Sequence, residues 1–373
     1  MNVIALKNNI KEGLSIISGA KKESGNLPVL KNFLLETVDG GVKMSSTDLE
    51  IGVTHFISAK NIKEGSVAIP FGVFSQIINN LSFERINFEI KGGSLLINTD
   101  NYKAKISTTP KNDFPIIPGI ERKKNNFFVF DTGSLVEALL FVVPACQISD
   151  FHPELSGILF SFKDGQIKLA ATDSFRLAEK TIVSKEFETK MEKDVSFIVP
   201  FKTIQETIRI FSSSKENKIK MFFEENQILF ETQQTTLISR LIEGRFPDYE
   251  IIIPKSFETE AIIEKENFTN ALKLTSSLSN RLNEVKFQID DDLKNIKTSS
   301  FSPEFGENEY LLPARIKGSK TQITFNWRFL LDGTKNIKTN SVFFGLNGEE
   351  KASLIKSPED QSFVYIIMPI RSS

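Results

Sequence analysis

Residues 171–178 read Ala-Thr-Asp-Ser-Phe-Arg-Leu-Ala, and this stretch decides the fold. The residues just before it, 167–171, alternate apolar with small or polar side chains, which is typical of a β-strand. Thr172, Asp173 and Ser174 can hydrogen-bond to the local backbone and therefore favour a turn. Taken alone, the stretch predicts an ordinary corner between two strands, so its significance depends on whether the corner recurs.

The corner and the hairpin before it occur twice in strong form. A strand-like run at 157–162 meets Asp164-Gly165 and returns into Thr172-Asp173. The turn and the corner have counterparts 125 positions earlier, at Asp39-Gly40 and Thr47-Asp48. Because Asp-Gly between two strand-like runs favours a two-residue hairpin turn, both segments are predicted to be hairpins.

A third copy of the unit is weaker. The run 285–289 meets three aspartates at 290–292 and returns to Thr298-Ser299, which are 126 positions beyond Thr172-Asp173. The Asp-Gly turn and the aspartate of the corner are both lost here. We therefore predict the third corner at Thr298-Ser299.

Each copy also carries two predicted helices. One opens the copy and the other follows a strand end, and their apolar residues recur three and four positions apart, as in an amphipathic helix. The opening helices are predicted at 7–17, from Ser134 to Pro144 and at about 266–277, and the second helices within 69–78, 199–208 and 325–331.

The repeat predicts an α+β fold of three tandem domains of one type, each with two helices and antiparallel sheets. Proline-marked segments close the first two copies. We place the domains at 1–123, 124–255 and 256–373. Three related domains in one chain suggest an arc whose symmetry a second chain could close.

The overall charge argues against a protein that coats nucleic acid indiscriminately, because 46 Lys and Arg balance 47 Asp and Glu. A single basic face is still compatible with this total. The one cysteine, Cys146, has mostly apolar neighbours, which favours a buried thiol in a reducing compartment. The apolar stretch 138–146 is too short to span a membrane, and the first residues lack a signal-peptide core, so we expect a cytoplasmic protein without a membrane partner.

No catalytic, metal or cofactor site is predicted. The sequence has no glycine-rich phosphate loop that ends in Lys-Ser or Lys-Thr, no cysteine pair and no His-Glu-x-x-His spacing. Asp173 and Arg176 lack a partner base, and His55 lies in a strand-like run where a structural role is expected. A carboxylate-dependent enzyme and an unrelated β-rich binding scaffold without a DNA role remain as alternatives.

Four motifs in order, at 171–178, 244–249, 278–280 and 365–371, give the chain a specific resemblance. Over its whole length it resembles the bacterial DNA polymerase III β subunit, the sliding-clamp family. This resemblance implies a head-to-tail homodimer of two three-domain arcs. It implies a closed ring, with strands outside and helices lining a hole that holds duplex DNA, and a role in processive DNA replication.

The resemblance also implies a hydrophobic pocket in which the replicative DNA polymerase, the clamp loader and repair proteins insert short linear peptides. Many family members have Gly-His where this chain has Ser174-Phe175, which predicts a bulkier and less polar rim. The additional Ser372-Ser373 after Arg371 is a second departure that could alter peptide preference. By position, the pocket residues are Leu155, Thr172, Arg176, Leu177, Pro247, Ile252, Ser353, Ile366, Ile367, Met368, Pro369, Ile370 and Arg371.

The DNA-facing surface is expected on the helices, where Lys and Arg contribute salt-sensitive and sequence-independent contacts to phosphates. Ser24 replaces a family arginine, the loop 150–154 lacks the expected basic and tyrosine residues, and the helix from Ser134 has no cation. We therefore expect weak DNA contacts and retention through ring closure. The candidate cations are Lys7, Lys11, Lys21, Lys22, Lys202, Arg209, Lys273 and Arg328.

The joint between two copies is expected to pair the first domain with the third. Candidates on the first domain are Ala104 and Ile106, and candidates on the third are Leu274, Ser277 and Leu278. Ala104 and Ser277 occupy positions where larger apolar residues are known in the family.

Overall fold

The computed structural model describes residues 1–21, 27–122, 126–149 and 151–371. These residues form two compact units, each built around one antiparallel sheet. The first unit comprises Met1–Gly133, Phe187–Glu192 and Gln205–Leu241, and the second comprises Ser134–Glu186, Lys193–Ile204 and the chain from Ile242 onward.

The described residues of the first copy of the repeat form eight strands and two α-helices. In chain order these are β1 (Asn2–Leu6), α1 (Lys7–Ile17), β2 (Asn32–Val38), β3 (Gly41–Thr47), β4 (Ile51–Lys63), β5 (Ser66–Pro70), α2 (Phe71–Asn80), β6 (Arg85–Lys91), β7 (Ser94–Asn98) and β8 (Lys103–Ser107).

In the part of the second copy that the structure describes there are nine strands and two α-helices. They are β9 (Phe127–Asp131), α3 (Thr132–Val142), β10 (Gly157–Lys163), β11 (Gln166–Thr172), β12 (Arg176–Ile182), β13 (Phe187–Thr189), β14 (Val195–Pro200), α4 (Phe201–Phe211), β15 (Lys218–Phe223), β16 (Gln227–Glu231) and β17 (Thr235–Arg240).

The third copy, described as far as residue 371, has eight strands and two α-helices. They are β18 (Thr259–Glu264), α5 (Lys265–Ser276), β19 (Glu284–Ile289), β20 (Asn295–Ser302), β21 (Gly306–Gly318), β22 (Thr321–Asn326), α6 (Trp327–Lys335), β23 (Ser341–Leu346), β24 (Ser353–Lys356) and β25 (Phe363–Ile367).

The two sheets divide the strands of the second copy between them. A 13-stranded sheet contains β1 to β8 with β9, β13 and β15 to β17, and a 12-stranded sheet contains β10 to β12 and β14 with all strands of the third copy. The three tandem α+β domains predicted from the repeat are confirmed. The two compact units coincide with the two sheets, whereas the predicted domain boundaries after 123 and 255 were derived from the sequence repeat. Those boundaries remain a prediction.

The predicted helices are confirmed with small shifts. Helix α1 occupies the predicted residues and buries Ile10, Gly13, Leu14 and Ile17, the spacing of one helix face against a sheet. Helix α3 begins at Thr132, two residues before the predicted start. The second helix of each copy directly follows a strand end, as predicted.

The first two hairpins and corners are confirmed and share one hydrogen-bond pattern. In the first corner, Thr47 Oγ1 donates to the carbonyl of Ile51, and Asp48 Oδ1 accepts from the backbone N–H of Glu50 and Ile51. The second corner repeats this, with Thr172 donating to the Arg176 carbonyl and Asp173 accepting from the N–H of Phe175 and Arg176. The identical pattern shows that the two corners are structural equivalents.

The prediction of the third corner at Thr298-Ser299 is wrong, because both residues lie within β20. The hairpin that precedes it pairs Ile289 with Ile296, whereas the second hairpin pairs Lys163 with Gln166, so the third loop is four residues longer. The corner therefore begins at Ser302, whose hydroxyl accepts from the N–H of Glu304 at 3.4 Å. The longer loop displaces the corner without changing the order of the elements.

Candidate peptide, DNA and dimer sites

Arg176 holds the second corner against helix α6. Its Nε donates to Asp173 Oδ2 at 2.9 Å, its Nη1 donates to the Asp332 carboxylate, and its Cζ lies 4.0 Å from the centre of the Phe329 ring. Tyr365 Oη lies 3.4 Å from the same Nη1. Only 13% of the Arg176 side chain is exposed, so most of its hydrogen-bonding capacity is used inside the protein.

The predicted pocket residues divide into a buried floor and an accessible margin. The floor contains Leu155, Thr172, Leu177, Ser353, Ile366 and Ile367, all buried. The register of β12 on β25 pairs Arg176 with Ile367 and Leu177 with Ile366. The hydroxyl of Ser353 is buried and has no hydrogen-bond partner among the described residues.

The margin contains the remaining predicted pocket residues except Arg176, whose contacts are given above. Met368, Pro369 and Ile370 are half-buried, and Pro247, Ile252 and Arg371 are exposed. The N–H of Met368 donates to the Phe175 carbonyl at 2.8 Å, which ties the segment after β25 to the corner. Phe175 itself is 64% exposed, in agreement with the bulky apolar rim expected from the sequence.

Ser174 adopts a positive φ of 73° in this corner, and Leu49 adopts 80° at the equivalent position of the first corner. This left-handed region favours glycine because a Cβ crowds the backbone there. This conformation explains why glycine is expected here from the family resemblance. Ser174 adopts the same conformation at a cost in folding free energy.

The polar contacts of Tyr249, Glu179 and Lys168 were not predicted from the sequence. Tyr249 Oη donates to Glu179 Oε2 at 2.6 Å, and Lys168 Nζ lies 3.5 Å from Glu179 and 2.7 Å from Glu250. Burial raises the pKa of Tyr249 well above its usual range, and the Glu179 charge adds to the shift. Tyr249 and Glu179 are 70 positions apart, so only the folded chain reveals the pair.

Lys7 and Arg209, two of the candidate DNA-binding cations, each bind the end of a helix, and Lys265, which was not a candidate, repeats the Lys7 contact in the third copy. The ammonium of Lys7, the first residue of α1, donates to the Leu81 carbonyl after α2. Lys265, the first residue of α5, likewise donates to the carbonyls of Lys335 and Ile337 after α6. These contacts satisfy carbonyl groups at helix C-termini, where a cation is also favoured by the helix dipole.

Arg209 is engaged in the same way. Its Nη1 and Nη2 donate to the carbonyls of Ser15 and Ile16 at the end of α1, each at 2.7 Å, and its Nε donates to Glu206. The guanidinium group is thus occupied by a helix end and a carboxylate.

The remaining candidate cations have different surroundings. Lys202, Lys273 and Arg328 are exposed and Lys11 is half-buried. Lys21 Nζ lies 4.6 Å from the centre of the Phe71 ring, and Arg328 Nε donates to Asn283 Oδ1 at 3.1 Å. Lys22 lies outside the described residues.

The dimer candidates lie beside two strand edges. Ala104 and Ile106 belong to β8, the last strand of its sheet, where Ala104 is half-buried and Ile106 is buried. Leu274, Ser277 and Leu278 lie at the end of α5, with Leu274 57% exposed. Asn308 Nδ2 of β21 donates to the Leu274 carbonyl at 3.0 Å, which joins this helix end to the start of β21.

Two reactive side chains are in structural positions. Burial raises the pKa of the Cys146 thiol to about 12, so it remains protonated at neutral pH. His55 is buried with its Nδ1 2.8 Å from Thr235 Oγ1, and burial lowers its pKa.

Across the described residues, no cluster of His, Cys, Asp and Glu could hold a metal ion, and no helix is long and apolar enough to cross a membrane.

Family models match the chain in three consecutive segments. The models for the N-terminal, central and C-terminal domains of the DNA polymerase III beta subunit match residues 1–118, 131–248 and 250–371. The chain belongs to the DNA polymerase III β subunit family. This family membership agrees with the resemblance inferred from the four sequence motifs.

Relatives of this family match the chain along nearly its full length. The beta sliding clamp of Bacillus subtilis is 25% identical, with 98% of each chain covered, and that of Staphylococcus aureus strain Mu50 is 26% identical, with 93% of each covered. The crystal structure of the β subunit from Thermotoga maritima is 26% identical and has a TM-score of 0.89, with all of both chains covered. The Bacillus subtilis clamp structure, 24% identical over all of both chains, has a TM-score of 0.93 and supports the fold.

Proposed function

We propose that this protein is a DNA sliding clamp, a homodimeric ring that encircles duplex DNA and tethers the replicative polymerase for processive synthesis. The observation that carries the proposal is the threefold repeat of the hairpin and corner, on a chain that matches the β subunit family from end to end. Its three domains are proposed at 1–123, 124–255 and 256–373, and its location is proposed to be the cytoplasm. The function requires no catalytic step or cofactor.

The internal repeat supports head-to-tail closure by a second copy. In the first two copies, the strand after the corner pairs with the last strand of the following copy, as Ile51 with Ser239 and Arg176 with Ile367. In the third copy, the strand after the corner is β21, and its residues 306–310 pair only with β20 in the described part of the chain. Among the strands that the structure describes, β8, the last strand of the first copy, pairs only with β7. We propose that these two edges pair between protomers.

The repeat also defines the register of this pairing. The turn before β8 matches the turn before β17, because Asn98 pairs with Lys103 as Glu231 pairs with Thr236, across loops of equal length. Thr236 of β17 pairs with Thr54, which lies three residues after Ile51, the first residue of β4. The equivalent residue of β21, three residues after its first residue, is Glu309. Lys103 of one protomer would therefore face Glu309 of its partner, and Lys105 would face Glu307. Directly opposed side chains of unlike charge stabilise antiparallel strands.

The helices support a DNA-facing surface. Their sequences contain eight Lys or Arg residues and five Asp or Glu residues, although the whole chain carries 46 and 47. We propose Lys11, Lys202, Lys273 and Arg328, which lie on helices and are exposed or half-buried, as the principal phosphate contacts. Lys21 and Lys22 are secondary candidates, and Lys7 and Arg209 instead bind helix ends. Few contacts imply weak binding by the open protein and retention by enclosure.

The peptide site is proposed at the second corner, with Leu155, Thr172, Leu177, Ser353, Ile366 and Ile367 as its floor and Pro247, Ile252 and residues 368–371 as its margin. Apolar side chains with a methionine provide an adaptable slot, and a few polar groups orient the ligand. The proposed occupants are short linear peptides of the polymerase, the clamp loader and repair proteins. A clamp structure from Pseudomonas aeruginosa is described as bound to griselimycin, which is a second probe for this chain.

A topological assay tests the proposal. The protein is loaded by a clamp loader onto nicked circular DNA, and the DNA is then cut once. We expect the protein to dissociate through the free ends and to remain bound when both ends are blocked. Retention on cut DNA with unblocked ends would contradict enclosure by a ring.

Solution measurements separate this function from the alternatives. Sedimentation is expected to give a dimer, and the dimer is expected to bind a fluorescein-labelled peptide from the clamp-binding segment of the replicative polymerase. A monomer that ignores the peptide would favour the β-rich scaffold or the carboxylate enzyme. The family match supports the clamp over both alternatives.

A further inference from the structure

A buried polar network anchors the segment that supplies two margin residues of the proposed pocket. Tyr249 Oη donates to Glu179 Oε2 at 2.6 Å, and both residues are buried. Lys168 approaches Glu179 from β11 at 3.5 Å and also donates to Glu250 at 2.7 Å. A buried carboxylate is costly without hydrogen-bond and charge partners, and the phenol and the ammonium are two such partners.

The anchored segment runs directly into the proposed pocket. Tyr249 packs in one buried cluster with Leu177 and Ile366 of the pocket floor. Its carbonyl accepts from the N–H of Ile252 at 3.1 Å. Pro247 and Ile252, both exposed, therefore lie on either side of an anchored tyrosine.

The network is absent from the described residues of the first copy of the repeat. Aligning Phe114-Pro115 with Phe246-Pro247 puts Ile117 at the position of Tyr249. The equivalent hairpin positions carry Thr54 in place of Glu179, and Lys43 in place of Lys168. Instead of the network, the first copy has a groove of about 840 Å³ lined by Lys43, Thr54 and Ile117. Of these two copies, only the one that carries the proposed peptide site has the anchor.

We propose that Tyr249, Glu179 and Lys168 are positioning residues for peptide recognition, which hold residues 247–252 in the conformation that accepts the peptide. This inference rests on the proposed function, because it concerns the same pocket. The apparent Kd of a ligand equals its intrinsic Kd divided by the fraction of protein in the competent conformation, so a smaller competent fraction weakens binding. Releasing the segment should therefore weaken binding even though none of the three side chains needs to touch the peptide.

The test uses the full-length protein and the labelled polymerase peptide. Tyr249→Phe keeps the ring but removes the hydroxyl donor, and we expect the peptide Kd to rise about five- to tenfold. Hydrogen exchange should accelerate within 246–253 and remain unchanged elsewhere in the second unit. Tyr102→Phe, at a partly exposed tyrosine of the first unit, is the matched control and should change neither quantity.

A double-mutant cycle addresses the network itself. Glu179→Gln keeps an oxygen acceptor for the phenol and should therefore weaken the peptide less than Glu179→Leu. The effects of Tyr249→Phe and Glu179→Leu should not add, since both break the same hydrogen bond. If the Glu179 variants do not fold, Lys168→Met offers a second way to loosen the segment, because it removes the contacts of the ammonium group with Glu179 and Glu250.

The outcomes separate the two proposals. If the wild-type protein binds neither the peptide nor griselimycin, the pocket itself is contradicted. If the wild type binds the peptide and Tyr249→Phe lowers only thermal stability, with Kd and local exchange unchanged, the network is merely structural and the positioning role is overturned. A raised Kd together with faster exchange in 246–253 supports it.

Discussion

The guanidinium group of Arg176 stacks on the ring of Phe329, with 4.0 Å between Cζ and the ring centre. The same group donates to Asp173 within the corner and to Asp332 on α6. The sequence resemblance assigned Arg176 to the peptide pocket, whereas its contacts here join two parts of the second unit. We therefore expect Arg176 to influence the peptide mainly by fixing the corner.

Arg176→Lys should show this role. Lysine keeps the charge but has neither the planar fork that bridges two carboxylates nor the flat face that stacks on Phe329. We expect the free energy of unfolding, measured in urea, to fall by about 1–3 kcal/mol, with weaker peptide binding. Arg245→Lys, at an exposed arginine, is the control and should have little effect. Unchanged stability in Arg176→Lys would show that the fork and the stacking are unimportant.

Ser174→Gly should stabilise the protein. Ser174 has a φ of 73°, and glycine adopts this conformation without the crowding of a Cβ. We expect the free energy of unfolding to rise by about 1 kcal/mol. Ser174→Ala separates the backbone effect from loss of the hydroxyl, because alanine keeps the Cβ and should give no such gain. A glycine variant less stable than the alanine variant would contradict the explanation.

His55 should make stability depend on pH. Burial lowers its pKa in the folded protein below 6.5, so as the pH falls through about 6.5 the unfolded chain binds a proton first and the free energy of unfolding decreases. Above this range the contribution is constant. Urea unfolding between pH 7.5 and about 5.5 should show a smaller loss for His55→Gln than for the wild type.

Comparison of His55→Gln with the wild type isolates the contribution of this one side chain. If His55→Gln and the wild type lose stability in parallel, another group must be responsible.

The sequence predicted what depends on neighbouring residues and missed what depends on distant ones. Asp164-Gly165 specifies its hairpin locally, and the corner at Thr172-Asp173 follows from side chains two or three residues apart. The third corner was misplaced because nothing in the sequence fixes the length of the loop after Ile289. The contacts of Lys7 with Leu81 and of Tyr249 with Glu179 span 74 and 70 positions, and periodicity contains no information on such pairs.

Arg209 and Lys202 should behave differently although both were predicted to bind DNA. Arg209→Ala removes two hydrogen bonds to the carbonyls that end α1, so we expect the free energy of unfolding to fall by about 1–2 kcal/mol. Lys202→Ala should instead lower the slope of log binding constant against log salt by about 1, measured with a labelled duplex. A reduced slope in Arg209→Ala, with normal stability, would return Arg209 to the DNA-facing surface.

The proposed register between protomers can be tested by exchanging charges. Lys105 of β8 would face Glu307 of the partner, and both side chains are exposed in the single chain. Lys105→Glu places two carboxylates opposite each other, and Glu307→Lys places two ammonium groups there, so each single variant should dissociate at higher protein concentration than the wild type. Opposed pairs of this kind contribute about 0.2–1 kcal/mol each, and the closed dimer contains two joints with one such pair in each.

The double variant Lys105→Glu with Glu307→Lys decides the register, because it restores unlike charges with reversed polarity. Sedimentation over a concentration series should show its dimer recovering towards wild-type affinity, more at low than at high salt. The mismatched control, Lys105→Glu with Glu309→Lys, combines positions that the register does not oppose and should recover less. Equal recovery in both pairs would indicate general attraction between the edges and would contradict the register that the internal repeat defines.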